Sequence, residues 1–277
     1  MATNRQVAAR DSAEFFRNNP VFTLAQLSSS LGGPERSKRA LERVKYFVAR
    51  GRVNPLARGL YAVVPPGVDA KAHEPDLFLV AHALRPDAVF SHHAALELLG
   101  AGHSVWHACT VFTGGRRASL ALGTSEVRFL DHPAPLRRRG LESLGVRGVR
   151  YRGQALRVTG RERTLVDGFR QPRLVGGLDE LVESAAGFGA LDLDLLTRLL
   201  DAYGQRALWA ATGWFLERFA RTFFVAPERL AVFEAHRPRS PQYVPRSLRG
   251  GRLVRRWNLV LPAAVVRGGE PDEPRSP

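Results

Sequence analysis

The sequence predicts an α+β fold made of two units, and three features of the chain support this class. The first 64 residues contain three helical patterns followed by two short extended segments. Residues 76–169 mix helical patterns with apolar runs that are typical of strands. Residues 178–235 carry one amphipathic helical pattern after another. We therefore expect a small N-terminal unit and a larger mixed unit, in which helices pack on a small antiparallel sheet.

Helix start and stop signals define the beginning of the N-terminal unit. The first helix is predicted over residues 7–18 and ends at Pro20. Thr23 is placed to cap the second helix, and Gln26, three residues later, completes the pattern of a capping box. The glycine pair at 32–33 breaks this helix.

The third helix and the segments after it complete the N-terminal unit. Pro34, a favoured first residue of helices, opens a helix that is predicted to run to about Arg50. Extended segments at 52–55 and 59–63 then form a hairpin around a turn. Three helices followed by a hairpin is the order of a winged helix-turn-helix, which we place at residues 1–66.

The third helix separates an apolar face from a basic one. Leu41, Val44 and Val48 are predicted to face the core, with Ala40 and Phe47 at its border. The opposite stripe consists of Arg36, Arg39, Arg43, Tyr46 and Arg50. Because arginine binds both guanine edges and phosphates, we expect this helix to contact DNA. The residues expected at or near bases are Arg36, Ser37, Lys38 and Arg39. Those expected at phosphates are Arg43, Lys45 and Arg50, with Arg52 and Arg58 of the hairpin touching backbone or minor groove.

Composition and charge limit the classes of function. The chain has a formal net charge of +15, and its first 67 residues carry eleven basic and four acidic side chains. Such an excess favours a polyanionic partner. The single cysteine, Cys109, excludes an intrachain disulfide and a cysteine zinc site, and its apolar neighbours predict a buried thiol. No apolar run suits a membrane span or a signal peptide, so we expect a cytoplasmic protein without a membrane partner.

The second unit is predicted over residues 67–265, followed by a disordered tail at 266–277. Its predicted helices lie at 76–84, 91–99, 160–169, 178–186, 192–203, 205–219 and 227–235, the second of them capped by Ser91. Its predicted extended segments lie at 105–112, 127–130, 146–151, 155–158 and 251–261, with a turn at Gly153.

A second basic region lies inside this unit. Residues 111–161 contain eleven arginines and three acidic side chains. Its clustered members are Arg116, Arg117, Arg137, Arg138, Arg139, Arg147, Arg150 and Arg152. On a strand, Arg150 and Arg152 would share one face. This region is either a second nucleic-acid surface, for DNA or RNA, or a solvated run of charge.

Six segments of the chain stand in an order that resembles a known family. They are residues 22–27, 50–53, 58–61, 91–100, 161–167 and 252–260. Together they resemble the AbiEi-type antitoxins of type IV toxin–antitoxin systems over most of the chain. The resemblance implies a repressor that binds inverted repeats in its own promoter through the winged helix. It also implies that the C-terminal domain counteracts a nucleotidyltransferase toxin without forming a stable complex.

Signatures of several enzyme classes are absent, including the P-loop, the dinucleotide fingerprint, the zinc-protease helix and the serine elbow. Asp69 and Lys71 are the only acid–lysine pair with the spacing of a restriction-type nuclease, and the nearest upstream acid, Glu42, lies inside the basic helix. Asp192 is interpreted as a helix N-cap with Asp194 in the first turn. Five histidines lack the spacing of a metal site: His82, His92, His93, His103 and His107. We expect no catalytic residue, metal or cofactor. The alternative function is a protein-interaction module that neutralises a toxin or another partner and binds nucleic acid only generically.

Overall fold

The computed structural model describes residues 14–35, 37–115, 118–247 and 249–267. Residues 7–13 of the first predicted helix lie outside the described residues. The same is true of Arg36, Arg116 and Arg117, and of the predicted tail from residue 268 onward. Residues 266–267, assigned to the tail by sequence, end a helix. None of the helices in the described part of the chain has the length and apolar character needed to cross a membrane.

The N-terminal part of the chain alternates short helices and strands. Residues 14–18 are helical. They are followed by β1 (Val21–Thr23), α1 (Leu24–Ser30), α2 (Lys38–Val48), β2 (Val53–Ala57) and β3 (Leu60–Val63). The three strands form an antiparallel sheet in the order β1-β3-β2. The predicted capping box of α1 is confirmed, because Gln26 N donates to Thr23 Oγ1 at 3.2 Å and Thr23 N donates to Gln26 Oε1 at 2.7 Å.

Helix α2 differs from its prediction at its start and on its apolar face. It begins at Lys38 rather than at Pro34, because the Ser37 hydroxyl caps it by accepting from Ala40 N at 3.1 Å. Ala40 and Val44 are buried, whereas Leu41, predicted to face the core, is 38% exposed. The buried face is therefore rotated away from Leu41.

Both faces of the three-stranded sheet are covered. Because side chains alternate along a strand, Val21 and Phe22 point to opposite sides. Phe22 packs with the buried side chains of α1 and α2, whereas Val21 packs in a core that includes Leu79. Leu79 belongs to α3 (Leu77–Leu84), the first helix of the larger part of the protein. This sheet therefore joins the N-terminal helices to the rest of the fold.

The larger part contains a six-stranded sheet, and here the prediction of a small antiparallel sheet is wrong. The strands are β4 (Val89–Phe90), β5 (Ala108–Thr113), β6 (Leu120–Leu122), β7 (Ser125–Asp131), β8 (Val146–Tyr151) and β9 (Gln154–Thr159). Their order is β6-β7-β5-β4-β9-β8, and the β4–β9 and β5–β7 pairs are parallel. The sheet is mixed because longer segments, such as the one between β4 and β9, return the chain in the same direction.

Helices cover the two faces of this sheet and continue beyond it. They are α3, α4 (His93–Leu98), α5 (Ala134–Arg138), α6 (Arg161–Arg170), α7 (Leu178–Ala186), α8 (Leu193–Tyr203), α9 (Arg206–Arg218), α10 (Pro227–Ala235) and α11 (Ala263–Arg267). Helix α3 packs against Val111, whereas the next residue of β5, Phe112, faces Arg163 of α6 on the other side. The final strands, β10 (Gln242–Tyr243), β11 (Arg252–Val254) and β12 (Leu259–Leu261), form a separate mixed sheet in the order β10-β12-β11.

The start of α4 differs from the predicted cap at Ser91. His92 occupies the N-cap position with φ 57° and ψ −130°, and it makes no side-chain capping bond. The Ser91 hydroxyl instead lies 3.0 Å from His92 Nδ1, and both side chains are fully buried. The turn from β4 into α4 thus stores backbone strain at a buried histidine.

Candidate nucleic-acid interface

An open groove lies between helix α2, the helical residues 14–18 and the chain that leaves β3. Its volume is about 1270 Å³. The side chains that line it are Phe16, Arg17, Pro20, Arg39, Glu42, Arg43, Tyr46, Phe47, Arg52, Val63, Val64, Pro65 and Pro66. We call this feature the basic groove, because four of its lining residues are arginines.

Aromatic rings form the floor of the basic groove. The Phe16 and Phe47 ring centroids are 5.0 Å apart in an edge-to-face arrangement, and Phe16 also packs on Phe22 at 5.3 Å. Tyr46 lies 5.2 Å from Phe47 and remains 49% exposed. This packing fixes the helical residues 14–18 against α2, so the arginines of both elements are held on one concave surface.

The charge of the basic groove is strongly unbalanced. Arg39 and Arg52 are exposed, and none of the ion pairs within the described ranges involves them or Arg17. Glu42 is the one acidic side chain among the lining residues that the structure describes. Guanidinium groups on a concave surface concentrate positive potential, which attracts polyanions.

Four other residues predicted to contact DNA lie outside the lining of the basic groove: Lys38, Lys45, Arg50 and Arg58. Lys38 and Lys45 are exposed on α2. The Arg50 guanidinium stacks on the Tyr46 ring at 3.6 Å from its centroid. Arg58 is exposed at the tip of the β2–β3 hairpin, where Gly59 takes the positive φ of 76° that the turn requires.

Two findings change the set of residues that the sequence predicts at the DNA interface. Ser37, expected near bases, uses its hydroxyl to cap α2, and its backbone N–H donates to Ser28 Oγ at 3.3 Å. This makes it a residue that joins α1 to α2. Arg17 was missed because it lies outside α2, and only the packing of Phe16 on Phe47 brings it to the groove. The position of Arg17 directly after two phenylalanines of an amphipathic helix was the available signal.

The clustered arginines of the second basic region that the structure describes lie on more than one side of the six-stranded sheet. Arg137 pairs with Asp131 at 3.5 Å, Arg139 donates to the Asp201 carbonyl of α8 at 3.1 Å, and Arg138 is exposed. These three lie with α8 on the α6 side of the six-stranded sheet. The Arg152 guanidinium instead contacts Asp76, which caps α3 on the opposite side, at 3.2 Å.

The expectation that Arg150 and Arg152 share a strand face is wrong. β8 ends at Tyr151, and Arg152 lies in the following turn with φ 44°. Arg150 shares its face with Arg157 of the neighbouring strand, because Arg150 pairs with Ala155 and alternate residues of a strand point the same way. Arg147 is exposed on β8 and points to the other face.

The segment 161–167, part of the family resemblance, builds the interior rather than a surface. Arg163 and Asp167 are fully buried, 3.4 Å apart. Arg163 Nη1 donates to the carbonyls of Glu142 at 2.5 Å and Leu144 at 2.9 Å. The Tyr203 hydroxyl donates to Asp167. These bonds connect α6 to α8 and to the loop before β8.

Burial shifts the pKa values of several ionisable groups elsewhere in the protein. Burial lowers the pKa of His92 to about 4 and raises the pKa of the Cys109 thiol, which is 2% exposed as the sequence predicted. A pocket of about 170 Å³ beside Cys109 contains Tyr151, whose pKa is raised to about 12 by burial and by its bond to Asp76.

Two of the residues considered for catalysis or metal binding, Asp192 and His93, have local partners. Asp192 caps α8, as predicted, by accepting from Asp194 N at 3.0 Å and Leu195 N at 2.9 Å. His93 stacks on Trp106 with centroids 5.0 Å apart and bonds Glu97 at 2.8 Å. Among the described ranges no group of three metal-ligating side chains converges on one point.

Comparison with known proteins supplies a fold relationship. The chain is similar to the crystal structure of the RV2827C protein from Mycobacterium tuberculosis, with a TM-score of 0.60 and 18% sequence identity. The similarity covers 92% of this chain and 91% of that chain. No protein-family model matches the sequence, and no curated protein matches it. At this identity the similarity shows that the two chains share a fold.

Proposed function

We propose that the N-terminal part of this protein is a winged helix-turn-helix that binds double-stranded DNA. The order of its elements supports the proposal: a helical segment, β1, two helices joined by a turn, and the β2–β3 hairpin. Helix α2 contacts β2, the first strand of the hairpin, and this contact supports a proposal in which the hairpin tip touches the DNA that α2 enters. On this proposal α2 is the recognition helix and Arg58 lies at the tip of the wing.

The observation that carries the proposal is the basic groove along α2. Arg39, Arg43 and Arg52 line it together, and Lys38 and Lys45 extend the positive surface along the same helix. A helix that carries cations on its solvent side can bind the phosphates that border a major groove while its other side chains reach base edges.

We further propose that the protein represses its own promoter as an antitoxin of the type IV class. This part rests on the resemblance of six segments to AbiEi-type antitoxins. The binding site is then an inverted repeat read by two copies, and the C-terminal part counteracts a nucleotidyltransferase toxin. Co-expression with such an enzyme encoded beside the gene is expected to restore growth without co-purification of the two proteins. Unrelieved toxicity would contradict the antitoxin role while leaving DNA binding intact.

The DNA-binding proposal is tested by a gel shift on the segment immediately upstream of the coding sequence, at physiological salt with excess competitor DNA. The wild-type complex is expected to survive the competitor, and Arg39→Glu is expected to abolish it. Arg221→Glu, an exposed residue of the larger part of the protein, is the matched control and should bind normally. Equal binding by Arg39→Glu and the wild type would refute the proposal, provided that both circular dichroism spectra agree.

A further inference from the structure

The described lining of the basic groove includes one carboxylate, Glu42, among four arginines. Glu42 lies in the middle of α2 and is exposed, and its side chain belongs to no ion pair or hydrogen bond that the described residues form. Lys38 and Lys45 lie one helical turn before and after it, at spacings that usually allow pairing. A carboxylate at this position repels phosphates and weakens generic attraction to nucleic acid.

The helix geometry places Glu42 at the centre of the solvent face of α2. At 100° per residue, the buried pair Ala40 and Val44 points to a mean direction about 180° from Glu42. Arg39 and Arg43 point to one flank, about 60° and 100° from Glu42. If α2 enters a major groove, its arginines face the backbone wall and Glu42 faces the base edges.

Base edges offer a carboxylate one kind of partner in the major groove. Glutamate can only accept hydrogen bonds when it is ionised, and the donors there are the amino groups of cytosine N4 and adenine N6. An ionised side chain that fails to find such a donor loses its hydration without compensation. Every base pair presents one such amino group, but its place in the groove differs among the four pairs, so a carboxylate held at one point discriminates against the pairs that bring an acceptor there.

We propose that Glu42 is a specificity-determining residue, which accepts a hydrogen bond from the amino group of a base in the binding site. This inference rests on the proposed function, because it requires α2 to lie in a major groove. It assigns the arginines of the basic groove to affinity and Glu42 to the choice of sequence.

The test compares Glu42→Ala and Glu42→Gln with the wild type on the upstream DNA and on competitor DNA of scrambled sequence. Both variants should bind the scrambled DNA more tightly than the wild type. For each of them the ratio of the two affinities should fall about tenfold or more, which is the usual worth of one base contact. Glu228→Ala, which changes the net charge equally at an exposed site on α10, should leave the ratio unchanged.

A scan of single base-pair substitutions across the protected segment then locates the contact. The wild type should discriminate at one position, where the base that faces Glu42 is a cytosine or an adenine, and exchanging the two bases of that pair between the strands should weaken binding. Glu42→Ala should lose discrimination at that position alone. An unchanged ratio for Glu42→Ala beside a selective wild type would overturn the role of Glu42 and leave the DNA-binding proposal intact. A wild type that cannot distinguish the two DNAs would overturn both.

Discussion

Removing two arginines from the basic groove should change the salt dependence of DNA binding by a predictable amount. Four guanidinium groups line the groove: Arg17, Arg39, Arg43 and Arg52. Each phosphate contact contributes about 0.9 to the slope of log K against log salt concentration, so the groove accounts for a slope of about 3.6. The double variant Arg39→Ala/Arg52→Ala should therefore reduce the slope by about 1.8.

These slopes correspond to a measurable difference between two salt concentrations. Over a fourfold rise in salt, the contribution of four contacts lowers affinity about 150-fold, whereas two contacts lower it about 12-fold. Fluorescence anisotropy of a labelled upstream duplex, titrated at several NaCl concentrations, measures both values. Arg221→Ala/Arg239→Ala removes the same charge from exposed sites in the larger part of the protein and serves as the control. Equal reductions for the two double variants would show that net charge, and not the groove, binds DNA.

Three further predictions concern the interior that supports this surface. Gly213→Ala should lower the free energy of unfolding in urea by about 3 kcal/mol, because the new Cβ would lie 2.2 Å from the buried indole ring of Trp257. The control Gly148→Ala, whose Cβ would meet nothing within 4 Å, should lower it far less. Because the pKa of His92 is about 4 in the folded protein, unfolding at a pH between about 4 and its ordinary pKa is accompanied by proton uptake at this residue. The free energy of unfolding should therefore fall by about 3 kcal/mol as the pH drops through that range. His92→Asn should flatten this dependence, and an unchanged pH profile would contradict it. Arg163→Met should cost about 4 kcal/mol by leaving Asp167 buried without its cation, and a loss below about 1 kcal/mol would show that the pair is not buried in solution.

Local signals made parts of the fold predictable. The capping box at Thr23 and the N-cap at Asp192 depend on neighbours within three residues, and the structure has both as expected. The hairpin with its turn at Gly153 was predictable for the same reason, because its two strands are neighbours in sequence. Pro34 misled the prediction of α2, since a favoured first residue was available there but the Ser37 cap lies three residues later.

Other parts depend on contacts between distant segments. The strand Val89–Phe90 is too short to show the alternation of side chains that identifies a strand in sequence. Its parallel pairing with β9 joins residues more than 60 positions apart. The mixed character of the six-stranded sheet was therefore not predictable from sequence. The α2 part of the candidate site was predictable from helical spacing, whereas Arg17 enters through the packing of two phenylalanine rings.

The central claim, that α2 and the β2–β3 hairpin dock on DNA, is tested most directly by cleavage from a tethered iron chelate. Cys109 is buried and can be replaced by alanine, so that Arg58→Cys provides a unique label at the hairpin tip. On the upstream duplex, we predict cleavage confined to a few nucleotides that flank the protected segment, and none from the same label at Arg221→Cys. Uniform cleavage along the duplex, or equal cleavage from both labels, would contradict the account.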